Sequence, residues 1–191
     1  MSSLFIPVYI PAWFTNFFSK LILLLSFPGV ILHEISHRFF CDIYNIEVYS
    51  IDYFVPFSDR AGCVKRKQID TLRQEFFIAI GPLIINSLVC IMLTFPMACS
   101  WYSGIPFLNF FSTLECAIHI FVAWVGYSAG LWAIPSTQDV SGLIDMAQSK
   151  FTKYILYIFV NIIKLCNMFD FFLRIVFTVF LSFLLPTLFL R

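Results

Sequence analysis

His33-Glu34-Ile35-Ser36-His37 sets two imidazoles four residues apart, with a carboxylate directly after the first. On a helix, residues at i and i+4 lie on one face a turn apart, so both rings can converge on a single cation. This H-E-x-x-H spacing is a zinc-binding pattern in which the glutamate acts as base toward a water polarised by the ion. The competing reading is a pair of satisfied histidines on a packing face. The surroundings weigh against it: Leu21-Ile22-Leu23-Leu24-Leu25 lies upstream and Phe39-Phe40 follows. Ionisable groups within so apolar a helix are costly and are usually kept for function.

A hydrolytic zinc needs a third protein ligand and keeps a fourth position for water. Depth along the helices narrows the choice. His33 and His37 lie near the end of their apolar run, whereas His119 sits far into a later one and is a poor match. Asp139 follows Pro135-Ser136-Thr137-Gln138, where that later run ends at the same level, and is the best-placed carboxylate. It also completes Ser136-x-x-Asp139, a capping box that would satisfy backbone donors of the next helix. The two roles are compatible, because a carboxylate has two oxygens. Glu75 and Asp70 are at workable depth and stay open as alternatives, while Asp145 would fall on the opposite face, toward solvent. Gly81-Pro82 lies near the same level: the proline leaves a backbone carbonyl without its helical partner and the glycine admits another chain closely. Asn86, a turn deeper, reads either as an interhelical hydrogen bond or as a donor to a substrate carbonyl.

The elements that must carry these groups are membrane helices. Of the 191 residues, 60% are hydrophobic, only 12% are charged and Phe occurs 25 times, a balance that a water-soluble domain of this size could not cover. The formal charge of +1, with no basic run interleaved with aromatics, gives no reason to expect nucleic acid. The six cysteines show no C-x-x-C spacing and read as small core residues. No basic residue precedes Lys20 and no small-x-small cleavage pattern precedes the H-E-x-x-H run, so the first apolar segment is expected to be retained rather than cleaved.

Met1 to Trp13, broken by Pro7 and Pro11, suits an interfacial or extended segment. Spans are expected over residues 16–40, bent at Pro28-Gly29, then 75–98, 108–134 and 171–190. Arg60, Lys65, Arg66, Lys67 and Arg73 fill the first loop, whereas the Cys99–Phe107 connection has no Lys or Arg. The positive-inside rule therefore makes the first loop cytoplasmic and sets the zinc motif near the cytoplasmic end of its helix. Within that loop, Glu47–Val55 has strand composition and Gly62-Cys63-Val64 can pair back on it as a hairpin. Residues 151–168 carry Lys153, Tyr157, Asn161, Lys164 and Asn167 on one stripe, which favours an interfacial amphipathic helix over a fifth span. The expected fold class is an all-α polytopic membrane protein with about four transmembrane helices, an interfacial amphipathic helix and a small β-hairpin in the first cytoplasmic loop. It is read as a single membrane-embedded domain over 1–191, with a catalytic core at 16–145 and the amphipathic helix and last span at 150–191.

Three segments together resemble the site-2 protease family of intramembrane zinc metalloproteases: His33-Glu34-x-x-His37, Gly81-Pro82-Leu83 with Asn86, and the proline-bearing segment that delivers Asp139. The resemblance covers Leu21 to Gly142. It implies zinc as cofactor, His33, His37 and Asp139 as ligands, Glu34 as catalytic base, and Asn86 with Gly81 and Pro82 along the substrate path. The implied substrate is a transmembrane or membrane-adjacent segment of a partner protein, cut near the cytoplasmic face of the lipid bilayer. Two other classes stand beside it: a membrane metal carrier or sensor, and a non-catalytic relative that binds transmembrane helices. A carrier should string further polar ligands along its spans, and the sequence offers little beyond His119 and Asn86.

Overall fold

In the computed structural model, residues 12–56, 58, 61–104, 113–168 and 170–189 are described. The expected N-terminal segment Met1–Trp13 falls almost wholly outside them. The chain is mostly helical, with one small two-stranded antiparallel sheet.

Helix α1 (Ala12–Leu25) and helix α2 (Phe27–Ile43) together supply the first apolar span, bent by 74° at their junction. The bend falls at Ser26 rather than at Pro28-Gly29. Proline needs no amide partner in the first turn of a helix, so Pro28 starts α2 instead of kinking it. Ser26 leaves the helical path, and its hydroxyl donates to Ile22 O at 2.7 Å.

After α2 come strand β1 (Val48–Asp52) and strand β2 (Cys63–Arg66), paired antiparallel in the register Ile51 opposite Val64 and Asp52 opposite Cys63, with an irregularity between Val48 and Ser50. The hairpin is where strand composition placed it. Helix α3 (Leu72–Ser103) then runs for 32 residues with Pro82 and Pro96 inside it, longer at both ends than the expected 75–98. Helix α4 (Thr113–Leu131) is the third apolar helix. The first part of its expected range, 108–112, lies outside the described residues.

Beyond α4 a short turn leads into the single-turn helix α5 (Thr137–Val140), then helix α6 (Lys150–Met168) and helix α7 (Asp170–Val179). A π-helical turn over Phe180–Leu184 joins α7 to helix α8 (Leu185–Phe189). Three helical stretches are long and apolar enough to cross a membrane: Leu72–Ser103, Lys150–Met168 and Phe171–Phe189. The α1–α2 pair passes the same test only when its two bent halves are counted together as one span. α6 qualifies on length and composition although its sequence pattern is amphipathic. It buries Leu156, Val160 and Ile163 while leaving Phe151, Tyr154, Ile155, Ile158, Ile162 and Leu165 exposed beside its lysines.

Glycines set the helix spacing where backbones meet. A Cβ on Gly29 would stand 1.9 Å from the Ser128 carbonyl oxygen, so α2 and α4 are in main-chain contact there. A Cβ on Gly81 would lie 2.7 Å from the Phe40 ring and 3.2 Å from the Ser36 carbonyl oxygen, which marks the equivalent approach of α3 to α2. The apolar core nearest the candidate site joins Ala79 of α3, Ile134, Val140 and Leu143 around α5, and the buried face of α6. Cys41 and Cys90 are buried, as expected of small core residues, and all five cysteines described in detail are free thiols.

Candidate metal centre

His33 and His37 point from one face of α2 toward Asp139 of α5, and the three form a group able to hold a metal ion. The Nε2 atoms of the two rings are 3.2 Å apart. Asp139 faces both, with Oδ2 at 3.5 Å from His33 Nε2 and Oδ1 at 3.4 Å from His37 Nε2. Zinc bonds of about 2.0–2.1 Å in a tetrahedron put neighbouring ligand atoms about 3.3–3.4 Å apart; the two imidazole nitrogens are near that spacing, and each faces a different oxygen of Asp139.

The remaining hydrogen bonds decide which ring nitrogens are free. His33 Nδ1 donates to Trp132 O and His37 Nδ1 donates to Ile78 O, each at 2.8 Å. A carbonyl can only accept, so both rings carry a proton on Nδ1 and turn Nε2 toward Asp139. Two Nε2 atoms and a carboxylate aimed at one point need a proton or a metal cation between them. Orientation of a ligating histidine through its second nitrogen is the usual arrangement at metal sites. The donor set therefore fits a divalent ion of the zinc type.

Each carbonyl is available for a structural reason. Trp132 lies just past the end of α4, and the amide four residues on, Ser136 N, donates instead to Asp139 Oδ2 at 2.7 Å. The reciprocal bond, Asp139 N to Ser136 Oγ at 3.3 Å, completes the capping box. Asp139 thus caps α5 and faces the imidazoles at once, as its two oxygens allow.

Glu34 is only 7% exposed, like His33 and His37, and lines the same cavity of about 340 Å³. Gly62, just before β2, lines that cavity together with Cys63 and Val64 of the strand. Gly62 packs directly on Glu34: a Cβ there would fall 2.6 Å from Glu34 Cγ and 2.7 Å from Oε1. The carboxylate of Glu34 would have to swing aside to make room. On the reading of Glu34 as a catalytic base, Gly62→Ala is expected to lower turnover by about 10- to 100-fold, since a misplacement near 1 Å can cost that much, with the metal content of the same sample unchanged.

The other sequence candidates are placed elsewhere. Glu75 faces the cavity but is held by Arg66, whose Nη2 lies 2.9 Å from both carboxylate oxygens. Asp70 and Asp145 are exposed, and His119 is half-buried on α4, away from the cluster. Asn86, Gly81 and Pro82 were expected along the substrate path, yet none of them lines the cavity. Asn86 is fully buried: its amide donates to Gly29 O and Trp132 O at 3.2 Å, and its carbonyl oxygen accepts from Ser36 Oγ at 3.1 Å. Those bonds tie α2, α3 and the end of α4 together, the interhelical role weighed against substrate contact.

Sequence reasoning missed the brace behind Trp132. Its indole donates to Ser26 Oγ at 2.8 Å, linking the metal-site turn to the α1–α2 bend. Arg174 of α7 stacks over that ring with its Cζ 5.2 Å from the centroid, and donates to Leu131 O and Asn167 Oδ1 at 3.0 Å. Asn167 in turn donates to Pro135 O at 3.0 Å. The signal was present: a lone arginine inside the last apolar run is costly unless it is paired. No protein-family model, curated protein or solved structure matches this chain.

Proposed function

We propose that the protein is an intramembrane zinc endopeptidase of the site-2 protease type, acting on a transmembrane or membrane-adjacent segment of another protein. The observation that supports this best is Glu34 lying in one cavity with three convergent ligand groups, on helices apolar enough to lie in a bilayer. Zinc held by His33, His37 and Asp139 would supply Lewis acidity to the scissile carbonyl and lower the pKa of water. Glu34 takes a proton from the attacking water and passes it to the departing amine.

β2 pairs only with β1 among the described residues, and its Gly62–Val64 end borders the cavity. An unwound substrate can add to that open edge through main-chain hydrogen bonds, presenting a peptide bond that a helix would shield. The basic residues of the first loop support a cytoplasmic position for this side by the positive-inside rule, and α6 exposes Lys150, Lys153 and Lys164. A carrier would need ligands stepped along the spans, whereas the metal-competent residues gather in one group among the described residues. The test is cleavage of membrane-inserted peptides by the protein in proteoliposomes, with Glu34→Gln as the inactive control. Equal cleavage by both proteins would remove the proposal.

A further inference from the structure

We propose that Pro82 is a positioning residue for the metal centre, because it removes the amide that would otherwise occupy Ile78 O. In an α-helix the carbonyl of residue i accepts from the amide of residue i+4, and for Ile78 of α3 that residue is Pro82, which has no N–H. A buried carbonyl without a partner is costly. Here the partner is His37, whose Nδ1 donates to Ile78 O at 2.8 Å in a buried setting. That bond puts the His37 proton on Nδ1 and turns Nε2 toward His33 and Asp139.

Gly81, the preceding residue, completes the device. Its missing Cβ lets α2 come against α3 beside Phe40 and Ser36, within reach of the freed carbonyl. The dipeptide thus acts on the ion through the ligand's far nitrogen and not by touching a substrate. Pro96, the second proline inside α3, is the internal comparison. It removes the amide facing Met92 O, and the Met92 side chain is 72% exposed, far from either imidazole. Both prolines weaken the helix in the same way, but only Pro82 has a metal ligand at its vacant carbonyl.

The inference rests on the metal reading of the triad, and its test separates the two. Pro82→Ala returns an amide to position 82, draws Ile78 O back along the helix axis and competes with His37. Loss of an orienting partner of this kind typically costs 10- to 100-fold in metal affinity. Zinc dissociation into a chelator should accelerate by about 10- to 100-fold, while thermal unfolding of the metal-free protein moves upward, because proline disfavours a helix interior. Pro82→Val restores the same amide with closer volume and should behave alike, which decides the matter if Pro82→Ala packs poorly. Pro96→Ala should raise the unfolding temperature without changing zinc release. A purely structural proline would make stability and zinc retention move together, and unchanged zinc release in both Pro82 variants overturns the inference alone. A parent protein that binds no zinc overturns the metal reading and this inference with it.

Discussion

In Glu34→Gln, cleavage of a membrane-inserted peptide is expected to fall by roughly 100- to 10,000-fold, the usual contribution of a positioned general base, while zinc stays bound. The amide is isosteric with the carboxylate and fits the same space against Gly62, so packing is unaffected. It cannot take a proton from water, so the proton has no route to the leaving amine. The three groups that converge on one point do not include Glu34, and metal content should therefore match that of the parent. Zinc analysis and turnover must be measured on the same sample. Retained turnover would remove Glu34 as the base, and lost zinc would make it a ligand.

The second large effect is expected at Asp139, where two variants separate its two roles. Asp139→Ala removes the oxygens that face His33 and His37 together with the acceptor for Ser136 N. Zinc affinity should drop by more than about 100-fold, beyond what a lost orienting partner costs. Folding should lose about 1 kcal/mol from the missing cap. Asp139→Asn keeps a carbonyl oxygen for the Ser136 amide but carries no charge toward the ion. It should recover the stability and fail to recover the zinc. If Asp139→Asn binds zinc as the parent does, the residue is a cap alone, and Glu75, freed from Arg66, becomes the carboxylate to examine.

The parts of this molecule that were legible in its sequence are those governed by local spacing. Two histidines a turn apart share a helix face whatever surrounds them, and strand composition in Glu47–Val55 and Gly62–Val64 was enough for β1 and β2. Asp139 could be reached because depth along an apolar helix converts residue number into height. The bend was misplaced by two residues, since a proline opening a helix and a proline kinking one look alike until the helix start is known. Pro82 was read correctly as freeing a carbonyl, but nothing in the sequence says that His37 lies across from it. Asn86 carried two readings, and the bonds that engage its amide across α2, α3 and the end of α4 come from packing that the sequence does not show. α6 combines a polar stripe with exposed aromatic and aliphatic residues, so its pattern and its length point different ways. Gly62 gave no signal, because the distance that matters joins a hairpin to a helix almost thirty residues earlier.

X-ray absorption at the zinc edge of the purified protein tests the central claim most directly. One zinc per chain is expected, with two imidazole nitrogens and carboxylate or water oxygens at about 2.0–2.1 Å, and one imidazole lost in His37→Ala. A protein that takes up no zinc, or a zinc with thiolate ligands and an unchanged spectrum in His37→Ala, would contradict it.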